Sequence, residues 1–179
     1  TSGSSPLLPT SAAGSNTTAN ATGLGGWGAI NAAAAAATDF IATSYLNPAA
    51  TINITGRNLL IKAVKISTIN TGAVVATTPT TLLWSLAFGH TAVSLATTET
   101  ASFATATTHA PRRVQLGFQS AAIGTVVGGL YSNDIVFDFD SPIVVRPGEY
   151  LATIVKIVVG TATASQTITY NVTFDGNFE

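Results

Sequence analysis

Three aspartates in the last third of the chain form its most acidic segment. Asp134, Asp138 and Asp140 are spaced so that they share one face of a β-strand, while apolar residues alternate onto the other face. A row of carboxylates can bind Ca²⁺, which prefers oxygen ligands. The same alternation is typical of an amphipathic strand with one solvent-facing side, and the spacing of a Ca²⁺-binding EF-hand loop is absent. We therefore prefer the amphipathic strand and predict no metal site.

The remaining residues that could do chemistry stand apart from one another. His90 and His109 are the only histidines, and neither has metal-ligand spacing to the other or to a carboxylate, so we interpret both as loop residues. Glu149 lacks a second carboxylate nearby to complete an acid/base pair. The chain has no cysteine, and the nucleophile-elbow, phosphate-loop and HExxH patterns are absent. The prediction is a protein that is not an enzyme, with no catalytic, cofactor-binding or metal-binding residues.

Charged and glycosylation motifs leave several alternatives open. Arg112 and Arg113 are the densest positive charge, and they either pair with an acidic patch on a partner or guard an edge strand against aggregation. Sequons of the form Asn-X-Thr are interpreted as chance matches in a Thr-rich chain, and the glycosylation state stays open. These sequons begin at Asn16, Asn20, Asn53 and Asn171.

Two tryptophans, Trp27 and Trp84, are the largest side chains. Neither has a partner aromatic at strand spacing, so we interpret both as packing anchors and not as platforms for a sugar ring. A carbohydrate-binding module or receptor-binding tip is accordingly the least favoured function.

Composition narrows the class of protein further. The chain has 179 residues, the size of one domain, and is 46% hydrophobic but only 8% charged, whereas about 25% is typical. A net charge of -1 and scattered basic residues provide no stripe that follows a phosphate backbone, so nucleic acid is not an expected partner. No apolar run reaches the roughly 18 residues that a membrane-spanning helix needs, so no membrane is expected either.

Short alternating segments separated by Gly, Pro, Asn and Thr predict an all-β protein. We expect an antiparallel, jelly-roll-like β-sandwich, since no sustained helical period is present beyond one or two turns within 29–37. The Arg146-Pro147-Gly148-Glu149 segment predicts a type II turn, and 89–111 predicts a long exposed connection. The predicted strands are 51–55, 59–69, 81–88, 113–120, 134–139, 143–145, 150–159 and 166–174.

The first part of the chain differs in composition from the rest. Residues 1–28 are rich in Ser, Thr, Gly, Asn and Ala and have few large apolar anchors, so we predict an extended arm, followed by the jelly-roll domain at 29–179. Whether the arm docks on its own domain or on a neighbouring subunit stays open.

Three segments carry a resemblance to a known class of proteins. They read PRRVQLG at 111–117, FDSPIVVRPGEY at 139–150 and TFDGNFE at 173–179. Over roughly residues 81–179 the chain resembles virion structural proteins of tailed bacteriophages, of the kind that decorate or cement capsids with a jelly-roll domain. The resemblance implies a location on the capsid surface, self-association as a dimer or trimer, a major capsid protein as partner, and no catalytic residues.

One rival from a different class is an extracellular pilus or surface-fibre subunit that polymerises through its N-terminal arm. The chain begins at Thr1, which favours removal of an initiator Met and leaves a cleaved signal peptide as the alternative. A signal peptide would fit the fibre and an extracellular or cell-surface location.

Overall fold

The computed structural model describes residues 25–31, 40–52, 55–75, 78–90, 113–160 and 166–179. These ranges contain eight β-strands and no helix, which confirms the predicted all-β class. The strands form two antiparallel sheets of four, consistent with the predicted sandwich. In chain order they are β1 Gly25–Asn31, β2 Phe40–Leu46, β3 Leu59–Asn70, β4 Thr80–His90, β5 Arg113–Ala121, β6 Ile135–Val145, β7 Tyr150–Val159 and β8 Thr167–Phe178.

The strand order follows from how the two halves of the chain pair. The first sheet has the order β1-β8-β3-β6 and the second has the order β2-β7-β4-β5. The first strand pairs with the last, the second with the seventh, the third with the sixth and the fourth with the fifth. The strands therefore pair like one long hairpin, and the β3-β8 and β4-β7 contacts complete the sheets.

The core lies between the sheets and is filled mainly by alternate residues of the strands. Trp84 and Tyr170 meet edge to face, with ring centroids 5.7 Å apart, and both are fully buried. The Tyr170 hydroxyl donates a hydrogen bond to the Ala42 carbonyl, which ties the first sheet to the second. The interpretation of Trp84 as a packing anchor is therefore confirmed.

Three predicted local structures proved wrong. The described residues of the 51–55 segment do not form a strand: Thr51 makes an isolated bridge, and Ile52 lies in a turn with 99% of its surface exposed. The predicted strands 134–139 and 143–145 are one strand, β6, because β3 pairs with both parts across a register shift. The short helix predicted within 29–37 does not begin at Ala29, because residues 29–31 are the last three of β1. Their pairing with β8 outweighs the helix propensity of alanine.

Two boundaries also differ from those expected. The strand β1 begins at Gly25, within the range assigned to the arm, because backbone pairing with β8 compensates for the weak strand propensity of its glycines. Residues 1–24 lie outside the described ranges, so the arm stays a prediction. His90, assigned to a loop, is the last residue of β4 and pairs with Tyr150, whereas His109 and the rest of the 91–112 connection lie outside the described residues.

Three buried tyrosines make stability sensitive to alkaline pH. Burial raises the pKa of Tyr45 and Tyr170, and it raises the pKa of Tyr131 to about 12 although a hydrogen bond from Gln166 opposes the change. A raised pKa means that the unfolded state loses its phenolic protons first. The stabilisation is therefore complete below about pH 10 and is lost as the pH rises toward 12.

We expect the free energy of unfolding to fall above pH 10 by roughly 1.4 kcal/mol per pH unit for each such tyrosine. Urea denaturation at several values between pH 9 and pH 11.5 measures this slope. In the Tyr131→Phe variant the free energy of unfolding should fall less steeply with pH, by about 1.4 kcal/mol per pH unit, because one titrating tyrosine is missing. A midpoint that stays constant up to pH 11.5 would contradict the expectation.

Candidate functional site

Two of the three aspartates lie on β6, and the third immediately precedes it. Asp138 and Asp140 are exposed on one side of β6, and Asp134 is exposed immediately before it, as the amphipathic strand predicted. No group of three or more His, Asp or Glu side chains among the described residues could hold a metal ion.

Glu149 has a structural role in the turn between β6 and β7. Its carboxylate accepts a hydrogen bond from the Arg146 amide at 2.9 Å, and its own amide donates to the Arg146 carbonyl at 3.0 Å. Gly148 between them has φ of 84°, the conformation that the third position of a type II turn requires. The predicted turn is confirmed.

The other residues considered from the sequence lie on different strands where the structure describes them. Arg113 is the first residue of β5, an edge strand of the second sheet, which is the location that the edge-guard interpretation requires. Asn171 is exposed on β8, opposite Trp27 of β1. Arg112, Asn16, Asn20 and Asn53 lie outside the described residues.

The most distinctive surface feature is a group of five large aliphatic side chains at one end of the sandwich. Between 47% and 72% of the surface of each is exposed. Four belong to the β5–β6 connection and one to the neighbouring β3–β4 connection. We call this group the apolar loop patch; it comprises Val74, Ile123, Val126, Val127 and Leu130.

Backbone hydrogen bonds hold the apolar loop patch in place. The Gly124 amide donates to the Val75 carbonyl at 2.7 Å, and the Val75 amide donates to the Thr125 carbonyl at 3.1 Å. Further along, the Gly128 amide donates to the Asn70 carbonyl at 2.6 Å, and the Asn70 amide donates to the Gly129 carbonyl at 2.9 Å. The connection is therefore bonded along its length to the end of β3 and the residues after it.

Polar side chains also anchor this connection. The buried Asn70 side-chain amide donates to the Thr125 carbonyl at 3.3 Å, and the Thr125 hydroxyl donates to the Ala122 carbonyl at 2.7 Å. Polar groups of the loop are thus hydrogen-bonded to protein, while its aliphatic side chains face solvent. This is the reverse of what a loop exposed only to water would favour.

The apolar loop patch is large and carries no charge. Its side chains expose on the order of 400 Å² of apolar surface, which is as large as the largest patch on a typical monomer. Residues 122–133 include no Asp, Glu, Lys or Arg. A contact here would therefore bury apolar area without removing an ionised group from water.

Sequence reasoning did not identify the apolar loop patch. Its valines, isoleucine and leucine are residue types normally assigned to the core. The glycines between them predict a loop and nothing more specific. The available signal was the combination AIGTVVGGL, a loop segment without charges and nearly without polar residues.

Trp27 also differs from its interpretation as a packing anchor. Its side chain is 47% exposed on the outer face of the first sheet, because its neighbours Gly26 and Gly28 occupy the inward-facing positions of β1. A Cβ atom on Gly28 would lie 2.6 Å from the Tyr170 hydroxyl, so the backbone of β1 lies directly over that core ring.

Comparison with known proteins gives little further information. No family model matches the chain, and no curated protein matches it. A crystal structure of a CocE/NonD family hydrolase from Staphylococcus aureus aligns with 98% of this chain at 8% identity and a TM-score of 0.37. The aligned region is 36% of the hydrolase, so this chain spans about a third of its length. No helix in the described ranges is long and apolar enough to cross a membrane.

Proposed function

We propose that this chain is a structural virion protein that decorates or cements a bacteriophage capsid by packing across subunit boundaries. Its function is to supply contact area, as a closed dimer or trimer bound to a major capsid protein on the capsid surface. No catalytic residue, cofactor, nucleic acid or membrane takes part in this proposal.

The apolar loop patch is the observation that carries the proposal. Apolar area of this size, held by backbone hydrogen bonds on a sandwich, favours a protein partner, because burying it releases water at little cost in loop ordering. It amounts to about half of the roughly 800 Å² that each partner buries in a stable complex. The rest would come from the neutral Thr, Ser and Asn surface around it.

The strand pairing supports the jelly-roll part of the proposal. We infer a jelly roll because the eight strands pair in nested fashion, first with last inward to fourth with fifth, and are divided between two four-stranded sheets. Double-sheet jelly rolls of eight strands are frequent in viral capsid domains. Fold alone does not determine function, so the strand pairing supports the proposed function less directly than the apolar loop patch does.

The alternative is a pilus or surface-fibre subunit that polymerises by adding its arm to a neighbour's sheet. One candidate edge for such addition is β6, the outer strand of the first sheet. Asp138 and Asp140 place charge on β6, and Pro142 removes a backbone donor from it. These features disfavour strand addition at that edge.

Two charged substitutions in the apolar loop patch test the proposal. We expect Val126→Asp with Val127→Asp to weaken self-association at least about 100-fold, because each carboxylate must lose water to enter an apolar contact. Sedimentation equilibrium and light scattering of the full chain measure the dissociation constant. Negative-stain imaging shows whether the particles are closed.

The matched control carries the same charges elsewhere. Val136 and Val144 lie on β6 and are exposed to a similar degree, so Val136→Asp with Val144→Asp should leave self-association within about threefold of the wild type. Equal association of the patch variant and the wild type would refute the role of the patch. Filaments that disappear when residues 1–24 are removed, which leaves β1 intact, would instead establish a fibre subunit.

A further inference from the structure

The exposed face of the first sheet carries a shallow groove beside Trp27. Its volume is about 170 Å³, and it is bounded by residues of β1, β3 and β8. We call it the Trp27 groove; its outward-facing lining residues are Trp27, Ser67, Ile69, Thr169 and Asn171.

Strand register fixes the arrangement of these side chains. Trp27 on β1 pairs with Asn171 on β8, which pairs with Ser67 on β3, so the three form one row across the sheet. Thr169 and Ile69 pair in the next row. With strands about 4.8 Å apart and like-facing residues about 6.8 Å apart, three strands and two rows span roughly 10 by 7 Å. That is the footprint of a single pyranose ring with its hydroxyl groups.

The polar groups of the groove are placed to contact a ligand. Within the described part of the chain, neither the Asn171 amide nor the Ser67 hydroxyl makes a side-chain hydrogen bond. Thr169 differs, since its hydroxyl lies 2.7 Å from that of Thr71. An amide both donates and accepts, and so does a hydroxyl, which suits a ligand that is itself covered in hydroxyl groups.

The charge of the groove points to a neutral ligand. None of its lining residues is ionised. Two charged residues on this face, Lys65 and Asp175, lie 4.0 Å from each other across β3 and β8 and largely cancel. A phosphate or sulfate group would find no cation there, whereas a neutral polyol loses little by leaving water.

We propose that the Trp27 groove binds a neutral pyranose unit of a carbohydrate chain. The apolar C–H face of the sugar stacks on the exposed indole, and its equatorial hydroxyls bond to Asn171 and Ser67. The flat, open sheet face accommodates a chain that continues past the bound unit. This inference goes beyond the assembly proposed above and does not depend on it.

The exposed indole allows a direct test with the full chain. Trp84 is fully buried and Trp27 is half exposed, so a ligand in the groove would change the emission of Trp27 alone. The probes are neutral oligosaccharides of glucose, galactose, mannose and N-acetylglucosamine at millimolar concentrations. We expect a saturable emission change with at least one of them, and titration calorimetry gives its affinity.

Variants identify the groove as the site. Trp27→Ala should weaken binding at least tenfold, and Asn171→Ala should weaken it severalfold. Phe118 is an aromatic residue on β5 of the other sheet with 62% of its surface exposed, so Phe118→Ala should bind as the wild type does. Thermal unfolding followed by circular dichroism verifies that each variant is folded.

Three results would overturn the inference. One is the absence of saturable binding by every oligosaccharide in the panel. Another is unchanged affinity in a folded Trp27→Ala variant. The third is a Trp27 emission that shifts with protein concentration and no longer responds to sugar, which would assign the groove to a second copy of the chain.

Discussion

Replacing Gln119 by leucine is expected to lower the free energy of unfolding by about 4 kcal/mol, because it leaves several buried polar groups without a hydrogen-bond partner. Gln119 on β5 is fully buried. Its carbonyl oxygen accepts from the Trp84 indole at 2.9 Å and from the Thr68 hydroxyl at 2.7 Å. Its amide donates to the carbonyls of Ile66 at 3.3 Å and Asn133 at 3.2 Å. The side chain thus links β3, β4, β5 and the end of the β5–β6 connection.

The expected cost comes from the partners more than from Gln119 itself. Leucine has a similar volume and would fill the space, but it can neither accept from the Trp84 indole nor donate to the Ile66 carbonyl. Each buried group left without a partner costs about 1–3 kcal/mol, and the sum is reduced where a partner can turn toward water. Urea denaturation followed by tryptophan fluorescence and circular dichroism gives the difference.

Gln115 provides the matched control on the same strand. It is exposed, so Gln115→Leu makes the same chemical change without removing a buried hydrogen bond and should alter stability by less than about 0.5 kcal/mol. If Gln119→Leu also stays within 1 kcal/mol of the wild type, the four hydrogen bonds do not contribute as argued.

Strands bounded by clear turn residues were predicted well from the sequence. The strand at 150–159 matches β7, and those at 81–88 and 113–120 lie within β4 and β5. Turn residues stand near the ends of these segments, and β-branched and aromatic residues dominate in 150–159. Local pattern and tertiary pairing agree there, so the sequence is sufficient.

Features that depend on pairing between distant segments were not predictable. The 51–55 segment alternates like a strand, yet its described residues form only a bridge at Thr51 and a turn at Ile52. The reverse holds for Gly25–Asn31, whose glycines and alanine predict no strand but which pairs throughout with β8. A strand is stable only with its partner, and the sequence of one segment does not contain that information.

The candidate sites could not be located for a related reason. An apolar residue in a loop and an apolar residue in the core look alike in the sequence, and only burial separates them. Trp84 and Trp27 illustrate the point, since one is the centre of the core and the other borders an exposed groove. The low charge of the chain is evident from its composition, but which surfaces lack charge is evident only from the fold.

Substituting Gly176 by alanine is expected to lower the free energy of unfolding by at least about 3 kcal/mol, because the added methyl group has no room. A Cβ atom there would lie 2.2 Å from the Leu60 carbonyl oxygen and 3.2 Å from the Ile61 Cα atom. Gly176 faces β3 beside the register shift between Ile61 and Ala63, where the two backbones approach closely. The obstacle is backbone, which cannot rotate away as a flexible side chain would.

Gly148→Ala separates this steric effect from the general cost of replacing glycine. Gly148 has φ of 84°, so alanine is strained there, but its Cβ atom would meet only the Ala49 methyl group at 3.7 Å. That variant should lose about 1 kcal/mol, the usual penalty for a left-handed residue. Chemical denaturation of both variants measures the contrast. Equal losses would contradict the steric argument. They would mean that the backbones of β3 and β8 can move apart at the register shift to admit a methyl group.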